Sequence, residues 1–258
     1  MKGLAFLLGA FLPLAAGADK DAGQPAGASP ASYADLFVFT QLSVGSSWDP
    51  YPDAYRDIVG FVTDVTSVIV SHDRKVMTLA DPDLALCPFL VLTSRQAPPE
   101  LGPDELARLR DYLTSGGFLW VDDASGTAAS SFDSWVRRTL KAALPDSDLR
   151  PLPGEHVLFK TFFFMRRVGG RVMVSGSVEG VDWAGQTVVV YTRNDVLGAW
   201  AKDPLGHYLY SCAPGGEAQR MQARKLALNI VMYALTGSYK ADAVHQPFLL
   251  EKLRQGQP

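Results

Sequence analysis

Five polar residues stand where this chain could do chemistry. GGFLWVDDAS, Gly116 to Ser125, is an apolar run that stops on two adjacent carboxylates, Asp122 and Asp123. QTVVVYTRND, Gln186 to Asp195, stops in the same way on Asn194 and Asp195, and His156 follows Gly154 and Glu155 in a loop-like stretch. Oxygen-rich strand ends can coordinate Mg²⁺ or Ca²⁺. A carboxylate pair can also divide the work of proton transfer, one as base and one orienting it. A histidine beside them would be a general base or a metal ligand. Convergence of Asp122, Asp123, His156 and Asp195 would make a catalytic site. Asp122, Asp123, Asn194 and Asp195 alone would make a ligand-binding edge.

Each of these residues also has a structural reading, and it is the leading one. One aspartate accepts N–H bonds from the loop Ala124 to Ser131, while the other pairs with an arginine or caps a helix. Asn194-Asp195 forms an Asx turn leading to Trp200, and His156 hydrogen-bonds a carboxylate and a carbonyl to fix its loop. Phosphotransfer enzymes of the haloacid dehalogenase type need Asp-x-Asp-Gly-Thr, whereas this chain reads DDASGT. Its second carboxylate comes one position early, which turns that side chain to the other face of a strand. GxxxxGK, GxGxxG, HExxH and GxSxG are absent, which removes the common nucleotide, zinc-protease and serine-hydrolase readings. No organic cofactor is expected. A divalent metal at the carboxylates is the one ion the pattern admits.

The elements that must position these groups alternate. Leu36 to Leu42, Cys87 to Ser94, Phe118 to Asp123 and Gln186 to Asp195 read as buried strands, the last again ending on polar groups. Helices are expected from Ala54, from Pro103 to the Gly116-Gly117 stop, over SFDSWVRRTLKAALP with Trp135, Leu140 and Leu144 inward, and from Glu217 to Leu235, closed by Gly237. SVIVSHDRKVMTL reads as a strand pair or an extended segment. KTFFFMRR, Lys160 to Arg167, reads first as a core strand and second as a partner surface with a basic rim. The sum is an α/β fold, a single three-layer domain with a mostly parallel sheet and helices on both faces. Ligands of such sheets bind outside the carboxyl ends of the strands, where DD and RND fall.

Hydrophobic residues make up 47% of the 258 and charged residues 20%, with a formal net charge of −3. No basic run supports a nucleic-acid partner. Lys2, an apolar stretch from Leu4 to Ala15 and the small residues Ala16 to Ala18 read as a secretory signal over 1–18, cleaved after Ala18. The stretch is shorter than the roughly 18 to 20 residues a membrane span needs, so no integral membrane segment is expected after cleavage. Residues 19–35, rich in Ala, Gly, Ser and Pro, read as a flexible leader. The α/β domain is then expected over 36–240, with a C-terminal tail over 241–258. Cys87 and Cys212 are either a bridge or two small buried hydrophobes.

LTSRQAPPELGPDELARLRDYLTSGGFLWVDD, FDSWVRRTLKAALP, LPGEHVLF, YTRNDVLGAW and ALNIVMYALTG together resemble the bacterial domain of unknown function 4159 family. The resemblance implies a class I glutamine amidotransferase-like fold with a flavodoxin-like core, and a setting in the bacterial envelope, periplasmic or secreted. Amidotransferase chemistry needs a cysteine on a strand-to-helix elbow. Cys87 precedes a strand, and Cys212 lies in YSCAPGG with no strand leading into it, so no glutaminase activity is expected. The leading expectation is a non-catalytic binding or assembly module of the envelope with a protein partner or small ligand. The alternative is a hydrolase or metal-dependent enzyme built on the strand-end carboxylates.

Overall fold

A computed structural model describes residues 36–255, with side chains to Gly237. The expected signal and leader, and the side chains of the expected tail, lie outside the described residues. Seven strands form one sheet: β1 Thr40–Leu42, β2 Lys75–Met77, β3 Phe89–Ser94, β4 Phe118–Asp123, β5 Arg150–Pro151, β6 Glu179–Trp183 and β7 Gln186–Thr192. Their order is β2-β1-β3-β4-β7-β6-β5. The first five are parallel; β6 runs antiparallel to β7 and β5 antiparallel to β6. Four α-helices accompany them: α1 Ala54–Val65, α2 Pro103–Thr114, α3 Ser131–Ala143 and α4 Gly216–Gln255.

Alternation along the strands decides the layers. Phe89, Val91, Phe118, Trp120 and Val190 point to one face and pack with Ile58 and Val62 of α1 and Leu226 and Ile230 of α4. Leu90, Leu92, Leu119, Val121 and Tyr191 point to the other and meet Leu113 of α2 with Trp135 and Leu140 of α3. All six residues of β3 and all six of β4 are buried. That is why those strands read as unbroken apolar runs rather than alternating ones. Helix starts follow their local chemistry. Pro103 opens α2 and Glu105 accepts the Gly102 N–H at 2.8 Å. Ser130 caps α3 by accepting from Asp133 N at 3.1 Å.

Two sequence readings are corrected. KTFFFMRR is not a strand: Val157–Lys160 forms one 3₁₀ turn and the rest is irregular. Its backbone finds its partners in a buried side chain, not in a neighbouring strand. Asn229 of α4 accepts from Phe163 N and donates to the carbonyls of Leu158 and Phe163, each at 2.8 Å. The last helix does not stop at Gly237. A single helical glycine costs about 1 kcal/mol relative to alanine, and the helix backbone continues to Gln255. The sequence reading also passed over β5 and β6. Ala184 (φ 48°) and Gly185 (φ 81°) turn β6 into β7, the pair of positive angles that a tight two-residue hairpin needs.

Strand order reverses once. From β1 the chain crosses to β2 on one side and then to β3 on the other. A crevice therefore opens outside the carboxyl ends of β1 and β3, the place where open α/β sheets hold ligands.

Candidate functional site

Asp122, the last residue but one of β4, lies level with Thr93 of β3 and Thr192 of β7, on the face that α1 and α4 cover. It is fully buried. One oxygen accepts from the Thr192 hydroxyl at 2.6 Å and from Val196 N at 3.0 Å; the other accepts from Leu197 N at 2.8 Å. Asp195, also fully buried, sits in the left-handed region at φ 53°. Its carboxylate accepts from the Tyr51 hydroxyl at 2.7 Å and Gly198 N at 3.0 Å, and pairs with the Arg171 guanidinium. Gly198 leaves space for that carboxylate, which a Cβ would fill.

Burial pushes Asp122 up to about 7, and the nearby charge of Asp195 adds to the rise against three hydrogen bonds that favour the anion. Burial raises Asp195 as well, but Arg171 and Tyr51 oppose it. The pair therefore divides: Asp195 holds the charge beside its arginine, and Asp122 is the member that takes a proton near neutrality.

Asp123 points to the opposite face. It accepts from Ser125 N at 2.9 Å, an Asx turn, and from the Tyr191 hydroxyl at 3.4 Å. Asn194 fastens a separate loop: its oxygen accepts from Val174 N and Ser175 N at 2.8 Å, and its amide donates to Ser175 O at 2.8 Å. His156 is not brought to the others. Its ring bonds Thr187 at 3.0 Å, at the start of β7, and Leu158 N at 3.2 Å. With Thr187 and Thr192 at opposite ends of one strand, five residues at about 3.3 Å each put His156 about 16 Å from the carboxyl edge. Among the described residues, no three His, Cys, Asp or Glu side chains gather closely enough to hold a metal ion.

Four residues of this edge carried no recognisable motif. Tyr51 and Arg171 are the partners of Asp195. Arg95, the first residue after β3, lies 5.1 Å over the Tyr51 ring and donates to the Tyr210 hydroxyl at 3.2 Å. Arg171 lies 5.3 Å over the Tyr210 ring, and Tyr51 meets Tyr210 edge-on at 5.9 Å. The available signal was glycine: Gly170 abuts Asn194, and Gly126 leaves room for the Arg171 guanidinium. Beside Arg95 a cleft of about 340 Å³ is lined by Ser47, Asp49, Pro50, Arg95 and Gln96. Gln96 donates to Ser47 at 3.0 Å and ties the two loops together. The Asp49 carboxylate is held by both Arg74 nitrogens at 2.9 and 2.6 Å. Thr93, buried directly below this edge, has a hydroxyl with no partner among the described residues.

Both cysteines are buried and free, and burial raises the Cys212 thiol. Cys87 precedes β3 and Cys212 precedes α4, so neither stands on a strand-to-helix elbow. No helix among the described residues is long and apolar enough to cross a membrane.

Fold and site together define a single α/β domain with a mostly parallel sheet, whose polar strand ends are locked into the structure at one edge. The family model for the domain of unknown function DUF4159 matches residues 38–235, and the chain belongs to that family. No curated protein matches it.

Proposed function

We propose that this chain is a non-catalytic binding module of the bacterial envelope, whose receptor is the crevice between the carboxyl ends of β1 and β3 and whose ligand presents an anionic oxygen group. One observation carries the reading. Asp122 and Asp195 are saturated by protein donors and closed to solvent, whereas Arg95 is exposed beside an open cleft at the point where strand order reverses. Carboxylates so engaged cannot reach a substrate. Arg95 has no carboxylate partner among the described residues, while neighbouring Asp49 is neutralised by Arg74. A planar guanidinium with free donors suits a carboxylate or a phosphate.

The order of the five parallel strands, 2-1-3-4-7, supports a flavodoxin-like core, since that fold runs 2-1-3-4-5. Export to the periplasm or beyond rests on the sequence of residues 1–18.

Melting of the full chain with phosphate, with citrate, and with Mg²⁺, Ca²⁺, Mn²⁺ and Zn²⁺ tests the reading. A ligand at ten times its Kd adds about 1.4 kcal/mol, or about 3 to 6 °C for a domain of this size. The expected shift comes with at least one oxyanion and disappears in Arg95→Ala, whose exposed side chain leaves the fold intact. No oxyanion shift, or one undiminished in Arg95→Ala, refutes it. A metal shift lost in Asp122→Asn would establish the metal-dependent enzyme instead.

A further inference from the structure

The segment from Val157 to Val168 exposes what its composition should hide. Phe162 is 41% exposed and Phe164 65%, although Phe159 and Met165 on either side are buried. The two rings are presented by a fixed backbone. Between them Phe163 is anchored at both its N–H and its carbonyl by Asn229, and it stacks on Phe61 of α1 at 6.4 Å. Met165 N closes the turn onto Phe159 O at 2.8 Å. Nothing about the local hydrogen bonding requires the rings to face outward.

Cations lie over one of these rings and over the two aromatic rings that support them. Arg166 lies 5.4 Å over Phe164, Lys225 5.4 Å over Phe163, and Arg224 4.6 Å over Phe61. Lys160 and Arg167 flank the same turn. None of these five has a carboxylate partner among the described residues. From Val157 to Val168 there is no Asp or Glu, in a chain whose net charge is −3. The positive charge is thus a local concentration and not a consequence of composition; Glu155 is the nearest acid in sequence.

We propose that this aromatic and basic turn docks the domain onto an anionic phospholipid surface. Exposed rings on a rigid turn enter the boundary between headgroups and acyl chains, while unpaired ammonium and guanidinium groups meet the phosphates. Charge complementarity selects this partner: every charged group on the turn has one sign, and an anionic leaflet attracts each Lys or Arg near it by about fivefold in affinity. Two protruding rings without a groove fall short of the roughly 800 Å² that each partner buries in a stable protein interface.

Co-sedimentation of the full chain with vesicles of phosphatidylcholine, or of phosphatidylcholine mixed with phosphatidylglycerol, at low and high salt, reads the effect. Residues 1–35 are common to every variant, so differences report on the turn. The anionic vesicles should retain the wild type, salt should weaken retention, and Phe162→Ser with Phe164→Ser should cost at least tenfold. Arg166→Gln with Arg167→Gln should cost about 25-fold, two of the fivefold factors above. This second pair, both exposed, keeps the test decisive if the serine variant melts early. Equal binding to neutral vesicles, or variants that sediment like wild type, would overturn the proposal. So would a dimer by light scattering that the serine substitutions convert to monomer, since the rings would then be covered by a second copy of the chain.

Discussion

None of the donors around Asp122 carries a charge. Thr192, Val196 and Leu197 supply dipoles, whereas Asp195 has Arg171. Thr192 can serve either protonation state. With Asp122 ionised its hydroxyl donates to the carboxylate; with Asp122 protonated it accepts, and turns its own hydrogen to the Val121 carbonyl at 3.2 Å. Trp120 Nε1, donating to Thr192 at 2.9 Å, holds the hydroxyl oxygen in place for both. A carboxyl raised in the fold from 3.8 to about 7 binds its proton more tightly when folded. Its contribution is therefore fully present below about pH 4 and is lost as pH rises to about 7. Asn cannot titrate, and its amide would face the Val196 N–H, donor against donor. Unfolding in urea should find the wild type about 1 to 3 kcal/mol more stable than Asp122→Asn at pH 5. By pH 8 the balance should move by about 2 to 3 kcal/mol toward Asp122→Asn, enough to close the gap or reverse it. His156, whose affinity for a proton burial lowers, is common to both proteins and shifts them alike. A gap independent of pH would mean that Asp122 stays ionised throughout.

At the scale of elements, the loop from Gly169 to Ser175 is held at the end of β7 by backbone contact as much as by side chains. A Cβ on Gly170 would strike the Asn194 carbonyl, a backbone atom that cannot give way, whereas a Cβ on Gly60, inside α1, would meet nothing within 4 Å. Gly170→Ala should therefore cost about 1 to 3 kcal/mol or more. Gly60→Ala should gain about 0.5 to 1 kcal/mol, from helix propensity and a less flexible unfolded chain. Melting both variants beside the wild type checks the pair, and a stable Gly170→Ala would show the loop free to move. The same two elements mark what the sequence could reveal. α1 was legible because Tyr55, Ile58, Val59 and Val62 repeat at helical spacing, and β3, β4 and β7 because buried parallel strands are apolar throughout. β6 was not, because the two-residue turn that joins it to β7 carries Ala-Gly in place of a stronger signal, and β5 was not, because it is two residues long and one of them is proline. The carboxyl edge was legible as a place, since strands that end on Asp stand out. Its wiring was not: Tyr51 reaches Asp195 across 144 residues and Arg171 across 24, a pairing that tertiary packing alone creates.

The whole molecule separates what sequence leaves undecided for its two cysteines. Cys87 packs with Met77, Leu90 and Leu113 in the core beneath α2 and α3, its sulfur 3.2 Å from that of Met77. Cys212 packs in the other core, with α1 and α4. A complete sheet stands between them, and facing layers lie about 10 Å from a sheet. A disulfide needs Cα atoms within about 7 Å, so no adjustment of loops can join this pair without opening the sheet. Even if the protein is exported to an oxidising compartment, the two thiols should survive as small hydrophobes. Melting of the full chain should therefore be the same with and without dithiothreitol. A thiol reagent should label neither cysteine in the folded protein and both in urea, because each is buried and Cys212 is also held protonated by that burial. Lower stability on reduction would require the two cores to communicate through the sheet, and would overturn the three-layer arrangement on which the carboxyl-edge cleft depends.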